Sequence, residues 1–110
     1  MNLIDTHTHL FSDQFKDDRN QVVQRAIDLG ISKLFLPNID SSTIEPMLSL
    51  CKAFPDNCFA MMGLHPCDVK EDFEKELAIV RQHLENGDYI AVGEIGIDLH
   101  WDKSTLAWQQ

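Results

Sequence analysis

Leu3-Ile4-Asp5-Thr6-His7-Thr8-His9-Leu10 begins as a short apolar run and ends in two histidines two positions apart. A short apolar run bounded by polar residues reads as a buried strand. In extended backbone, residues i and i+2 point to the same face. His7 and His9 therefore present two imidazoles side by side, and neutral imidazole is a common ligand for zinc and similar ions. Asp5 falls on the same face one step back, where it could orient a histidine. The plainer reading is a strand end with two solvated histidines. The combination of apolar strand, aspartate and His-x-His favours a metal.

The stretches that follow repeat the strand. A loop from Phe11 to Lys16 leads to a helix from about Asp17 to Leu29, with Val22, Val23, Ala26 and Ile27 as its apolar stripe and Gly30 as its stop. Ile31 to Leu36 reads as a second strand. A second helix begins near Ser42 or Thr43, because Pro46 fits only in a first turn. Cys58 to Gly63 is a third strand, and Glu71 to Leu84 a third helix with Phe73, Leu77, Val80 and Leu84 on one face. Tyr89 to Val92 is a fourth strand. Ser104 is a candidate cap for a helix that the chain enters only briefly.

Strand and helix thus alternate four times, which implies a parallel sheet covered by helices. The expected fold is α/β, the first four units of a (β/α)8 TIM barrel, a fold that takes about 250 residues. Residues 1–110 are expected to be the N-terminal half of one barrel domain, truncated in the helix after strand four. In such sheets functional residues gather at the carboxyl ends of strands. Here those ends carry His7 and His9, Asn38, His65 and Glu94, all polar residues interrupting apolar runs.

The 110 residues carry a formal net charge of −9. This disfavours broad electrostatic attachment to nucleic acid or an anionic membrane. A phosphate substrate held locally by cations stays compatible with it. No apolar run approaches a membrane span, and the N-terminus shows no signal-type core, so a cytoplasmic setting is expected. Cys51, Cys58 and Cys67 match no zinc spacing and read as reduced thiols.

Glu94 stands between two glycines at the end of strand four, in Gly93-Glu94-Ile95-Gly96. A buried carboxylate is costly without a partner, and a metal removes that cost. A structural, hydrogen-bonded glutamate is the alternative. His65, before Pro66, is open between substrate contact and loop capping. Asp98 is expected at the rim of the site. His83 and His100 read as solvated, and Trp101 and Trp108 as packing groups or cleft walls.

Three stretches together carry a resemblance. Leu3 to Leu10, Met62-Gly63-Leu64-His65-Pro66, and Val92-Gly93-Glu94-Ile95-Gly96-Ile97-Asp98 are similar to motifs of the TatD family of metal-dependent hydrolases, in order and spacing. The resemblance implies a TIM barrel that hydrolyses phosphodiesters, with members described as deoxyribonucleases, including 3′-to-5′ exonucleases. It implies divalent ions, usually two (Zn, Mg or Mn), and DNA or another phosphodiester as substrate. By position, His7 and His9 match ligands of the first metal and Glu94 the glutamate bridging both. His65 matches a substrate-pocket histidine, so catalysis falls to Glu94 and His65, and substrate contact to His65 and Asp98. Phe11 departs from a frequent Asp or Asn, and His100 from a frequent Tyr. Two later histidines and a later aspartate of the family's site have no counterpart within residues 1–110.

Other readings are an amidohydrolase acting on small cyclic amides or esters, and a non-catalytic fragment. A half-barrel also leaves the inner sheet face open, with Met62 and Val92 expected to meet water, so self-association is expected.

Overall fold

The computed structural model describes Met1–Gln110. Four strands, β1 (Leu3–Asp5), β2 (Ile31–Pro37), β3 (Cys58–Met62) and β4 (Ala91–Val92), form one sheet in the order β1-β2-β3-β4, all parallel. Helices α1 (Arg19–Asp28), α2 (Ile44–Ala53) and α3 (Phe73–Asn86) connect them. A short α4 (Leu106–Gln109) follows the loop after β4. Parallel neighbours need a crossover, and each helix supplies one. The sheet curls as half of a (β/α)8 barrel, in agreement with the fold expected from the alternating pattern. No helix is long and apolar enough to cross a membrane.

The side chains of β2 and β3 alternate between two unlike faces. Leu34, Leu36, Cys58, Ala60 and Met62 are buried beneath the helices, with Val23, Met47, Leu50 and Val80 against them. Lys33, Phe35, Phe59 and Met61 point the other way, into an apolar groove of about 400 Å³ that also takes in Thr6, Ile90 and Ala91. There Phe35 and Phe59 pack edge to face at 6.1 Å, and the Lys33 ammonium lies 5.6 Å from the Phe59 ring centre. Met62, expected on this open face, is fully buried instead. The strand period of two puts Met62 in line with Cys58 and Ala60, so Met61 takes the inner position. Val92 is exposed as expected.

Several boundaries differ from their expected positions. β1 is an exposed edge strand rather than a buried one, with Leu3 and Ile4 about half exposed at 46% and 50%. It pairs only with β2, and no layer covers its other edge. α1 starts at Arg19, two residues late, because Asp18 makes no side-chain cap. Pro46 does lie in the first turn of α2. α3 runs Phe73–Asn86, shifted by two residues, and a 3₁₀ turn over Pro66–Asp68 precedes it. β4 is shorter than expected, yet ladder bonds from Ile90 N–H to Ala60 and from Gly93 N–H to Met62 extend its pairing. Ser104 does not cap α4; Thr105 precedes that helix, and Ser104 bonds Asp102.

Candidate metal centre

The loop that carries the histidines is held from three sides. Thr8 N–H donates to Phe35 at 3.1 Å, which continues the β1 pairing past Asp5. Asp5 accepts from the His7 backbone N–H at 3.1 Å, so it braces the main chain and not an imidazole. Arg19, at the start of α1, donates to the carbonyls of Leu10, Phe11 and Ser12 at 2.8, 2.7 and 3.0 Å. One guanidinium thereby fixes the exit of the loop. Phe11 is 1% exposed and packs its ring at right angles to His9, centres 5.6 Å apart.

Glu94 reaches the same point from the other edge of the sheet. Its N–H donates to the Asn38 carbonyl at 3.3 Å. Asn38 is fully buried at the end of β2, and its side-chain amide donates to Gly63 and Asp40, both at 3.0 Å. Thr43 Oγ1 donates back to Asn38 Oδ1 at 2.8 Å. These bonds tie together the carboxyl ends of β2, β3 and β4. Gly63 is required by this closeness, since a Cβ there would lie 2.6 Å from the Glu94 carbonyl oxygen and the Gly93 carbonyl carbon. Adding a methyl group would force the Glu94 backbone aside.

The result is a triangle of ligand atoms. His7 Nε2 and His9 Nε2 are 3.2 Å apart. Glu94 Oε2 stands 3.1 Å from the first and 3.2 Å from the second. These edges match a shared cation, because tetrahedral ligands at about 2.0–2.1 Å lie roughly 3.3 Å from one another. The proton count agrees. His9 Nδ1 is 3.1 Å from the Pro37 carbonyl, which can only accept, so Nδ1 carries the proton and neutral His9 turns a bare Nε2 lone pair inward. Burial holds His9 below the ordinary imidazole pKa, against the pull of Glu94. Glu94 Oε2 is buried and receives no hydrogen bond. The His9 lone pair thus faces a carboxylate oxygen, an arrangement that a cation relieves. The donor set of two imidazoles and one carboxylate suits zinc or a similar divalent ion.

His65 completes the cluster from the third strand. Its Nε2 lies 3.2 Å from Glu94 Oε1, and its Nδ1 accepts the Cys67 N–H at 3.0 Å, capping the 3₁₀ turn. Of the two roles left open for His65 the cap is formed, and the ring contacts Glu94 as well. Asp98 stands apart from the triangle. Its carboxylate accepts the His100 N–H at 2.8 Å, and its backbone is clamped by the Gln109 side chain at 2.8 and 3.1 Å. Hydrogen bonds from backbone and from the Cys67 thiol hold Asp98 below the usual carboxylate range. The three cysteines are free, and burial pushes Cys51 up to about 11 and Cys58 up to about 12. His83, expected to be solvated, is bonded to the Tyr89 hydroxyl at 2.9 Å, because the Asn86-Gly87 turn folds Tyr89 back onto α3. Sequence reasoning does not single out Arg19, Asn38 and Phe11 as supports of the site, although Asn38 does break an apolar run.

The sequence matches the family model described as TatD related DNase over residues 4–110. An uncharacterized metal-dependent hydrolase of Bacillus subtilis, YabD, is 32% identical over 102 residues, covering 93% of this chain and 40% of that protein. The 3′-5′ ssDNA/RNA exonuclease TatD of Pectobacterium carotovorum is 32% identical over 109 residues, covering 98% and 42%. The crystal structure of YjjV, a TatD homologue from Escherichia coli K12, superposes with a TM-score of 0.86 at 32% identity, again covering 98% of this chain and 42% of the other. The chain therefore spans about two fifths of the length of these relatives.

Proposed function

The chain belongs to the family of TatD-related DNases, and from that premise we propose that residues 1–110 form the N-terminal half of a metal-dependent phosphodiesterase acting on single-stranded DNA or RNA. The observation that supports this reading is the triangle of His7, His9 and Glu94 around a carboxylate oxygen without a hydrogen bond. His7 and His9 would hold a divalent ion through Nε2, and Glu94 through Oε2. When bound, such an ion polarises a phosphoryl oxygen and lowers the pKa of water. The Pro37 carbonyl keeps the His9 lone pair turned inward, and Phe11 keeps that ring from rotating. In the complete enzyme, two ions (Zn, Mg or Mn) would share Glu94, with His65 and Asp98 on the substrate side. A cytoplasmic setting belongs to the same reading.

The 110 residues supply at most three ligands of one ion. They are expected to bind it, and to turn over little or no nucleic acid. Joined to the C-terminal portion of the E. coli relative, they are expected to release nucleotides from single-stranded DNA or RNA with Mn²⁺ present. His9→Ala should remove that activity. Turnover of cyclic amides in place of nucleic acid would favour the amidohydrolase reading, and no metal-dependent turnover at all would reject both.

The open inner face of Lys33, Phe35, Phe59 and Met61 supports one further part of the proposal, pairing of two copies. Phe35, Phe59 and Met61 are only half-buried there, and covering apolar area contributes ~25 cal/mol per Å². Sedimentation equilibrium of the purified chain is expected to give a dimer. A monodisperse monomer with a sharp melt would reject it.

A further inference from the structure

We propose that His65 is a positioning residue for Glu94, holding one carboxylate oxygen so that the other faces His7 and His9. The proposal rests on the metal-site reading above. Its basis is the opposite arrangement of protons on two neighbouring histidines.

His65 Nδ1 accepts the Cys67 N–H at 3.0 Å, so in the neutral ring the proton sits on Nε2. That Nε2 is 3.2 Å from Glu94 Oε1. Asp68 Oδ2, at 3.7 Å from Nδ1, is too far to compete for the proton. His9 is the reverse: Nδ1 holds the proton against Pro37, and Nε2 is bare. Glu94 therefore meets the His65 Nε2 on one oxygen and the bare His9 Nε2 on the other. Oε1 is occupied by His65, and Oε2 is left to join His7 and His9. The carboxylate cannot rotate without losing the His65 contact. A partner that fixes a ligand in this way commonly contributes about 10–100-fold to metal affinity.

Two substitutions separate the cap from the contact. His65→Asn retains an acceptor where Nδ1 caps the turn, and asparagine is a good cap; it loses the reach to Glu94. His65→Gln places an amide N–H near the position of Nε2 and loses the cap. The experiment is titration of Co²⁺ into the 110-residue chain, followed by calorimetry and by visible absorption, with thermal melts of each variant. Wild type is expected to bind one Co²⁺ per chain. His65→Asn should melt like wild type, bind about tenfold more weakly, and show an altered cobalt spectrum. His65→Gln should melt lower, yet bind within about threefold of wild type, well inside the range that loss of a positioning partner opens. If His65→Asn binds like wild type, or His65→Gln falls as far as His65→Asn, the positioning role is overturned while the metal site stands. If wild type itself binds no Co²⁺, the metal-site reading falls and this inference with it.

Discussion

Replacing Glu94 by glutamine is expected to abolish metal binding and, at the same time, to stabilise the metal-free protein. Both effects come from the same two oxygens. Glutamine retains Oε1 as an acceptor for His65 Nε2–H. In place of Oε2 it offers an NH₂ group to the bare Nε2 of His9, which stands 3.2 Å away. The buried oxygen that receives no hydrogen bond is thereby replaced by a satisfied donor. An unsatisfied buried polar group costs about 1–3 kcal/mol. Removing it should raise the melting temperature in EDTA by about 4 °C or more. Loss of a ligand and of its charge should weaken divalent binding by more than about a hundredfold, since partners outside the ligand set are already worth about 10–100-fold. Adding Zn²⁺ should stabilise the wild type by mass action and leave Glu94→Gln unchanged. Melting curves with and without metal measure both. A variant less stable than wild type in EDTA would show that Glu94 serves the fold and not an ion.

The second large effect is expected at Asn38. Its side chain is fully buried and makes three hydrogen bonds, to Gly63, Asp40 and Thr43. Asn38→Leu retains the volume and strands the Gly63 carbonyl without a donor, while the Asp40 carbonyl still accepts from Thr43. At about 1–3 kcal/mol for the stranded group and about 1 kcal/mol for each further bond lost, the loss should be roughly 3 kcal/mol. That is a large share of the ~5–15 kcal/mol by which a domain is stable. The melting temperature should fall by more than about 10 °C. Metal affinity should fall as well, because Gly63 and the Glu94 backbone lean on the same knot. Thr43→Val removes the hydroxyl that donates to Asn38 and accepts the Ile39 and Asp40 N–H groups, and should also cost about 1–3 kcal/mol. Equal melting of Asn38→Leu and wild type would mean that the strand ends hold their positions without this network.

Much of this architecture is local and legible from residue type and spacing. Val22, Val23, Ala26 and Ile27 recur at helical spacing, and Val23 is fully buried in α1. Pro46 marks the first turn of α2 because no later position admits it. His7 and His9 share a side because the backbone there is extended. Even the convergence of Glu94 on them follows from topology, since parallel strands bring their carboxyl ends to one edge.

What the chain could not disclose by itself lies where two distant segments decide together. The inner or outer facing of Met61 and Met62 depends on which side the helices cover, and both residues are equally apolar. Phe11 and Arg19 read as loop and helix start; only the packed loop shows the ring against His9 and the guanidinium across three carbonyls. The protons on His9 and His65 are assigned by Pro37 and by the Cys67 N–H. Sequence alone determined which residues could bind an ion, because residue type sets the donor atom. Tertiary structure decided which ligand atoms face one another at 3.2 Å, because backbone partners orient the rings of His9 and His65 and leave one carboxylate oxygen bare.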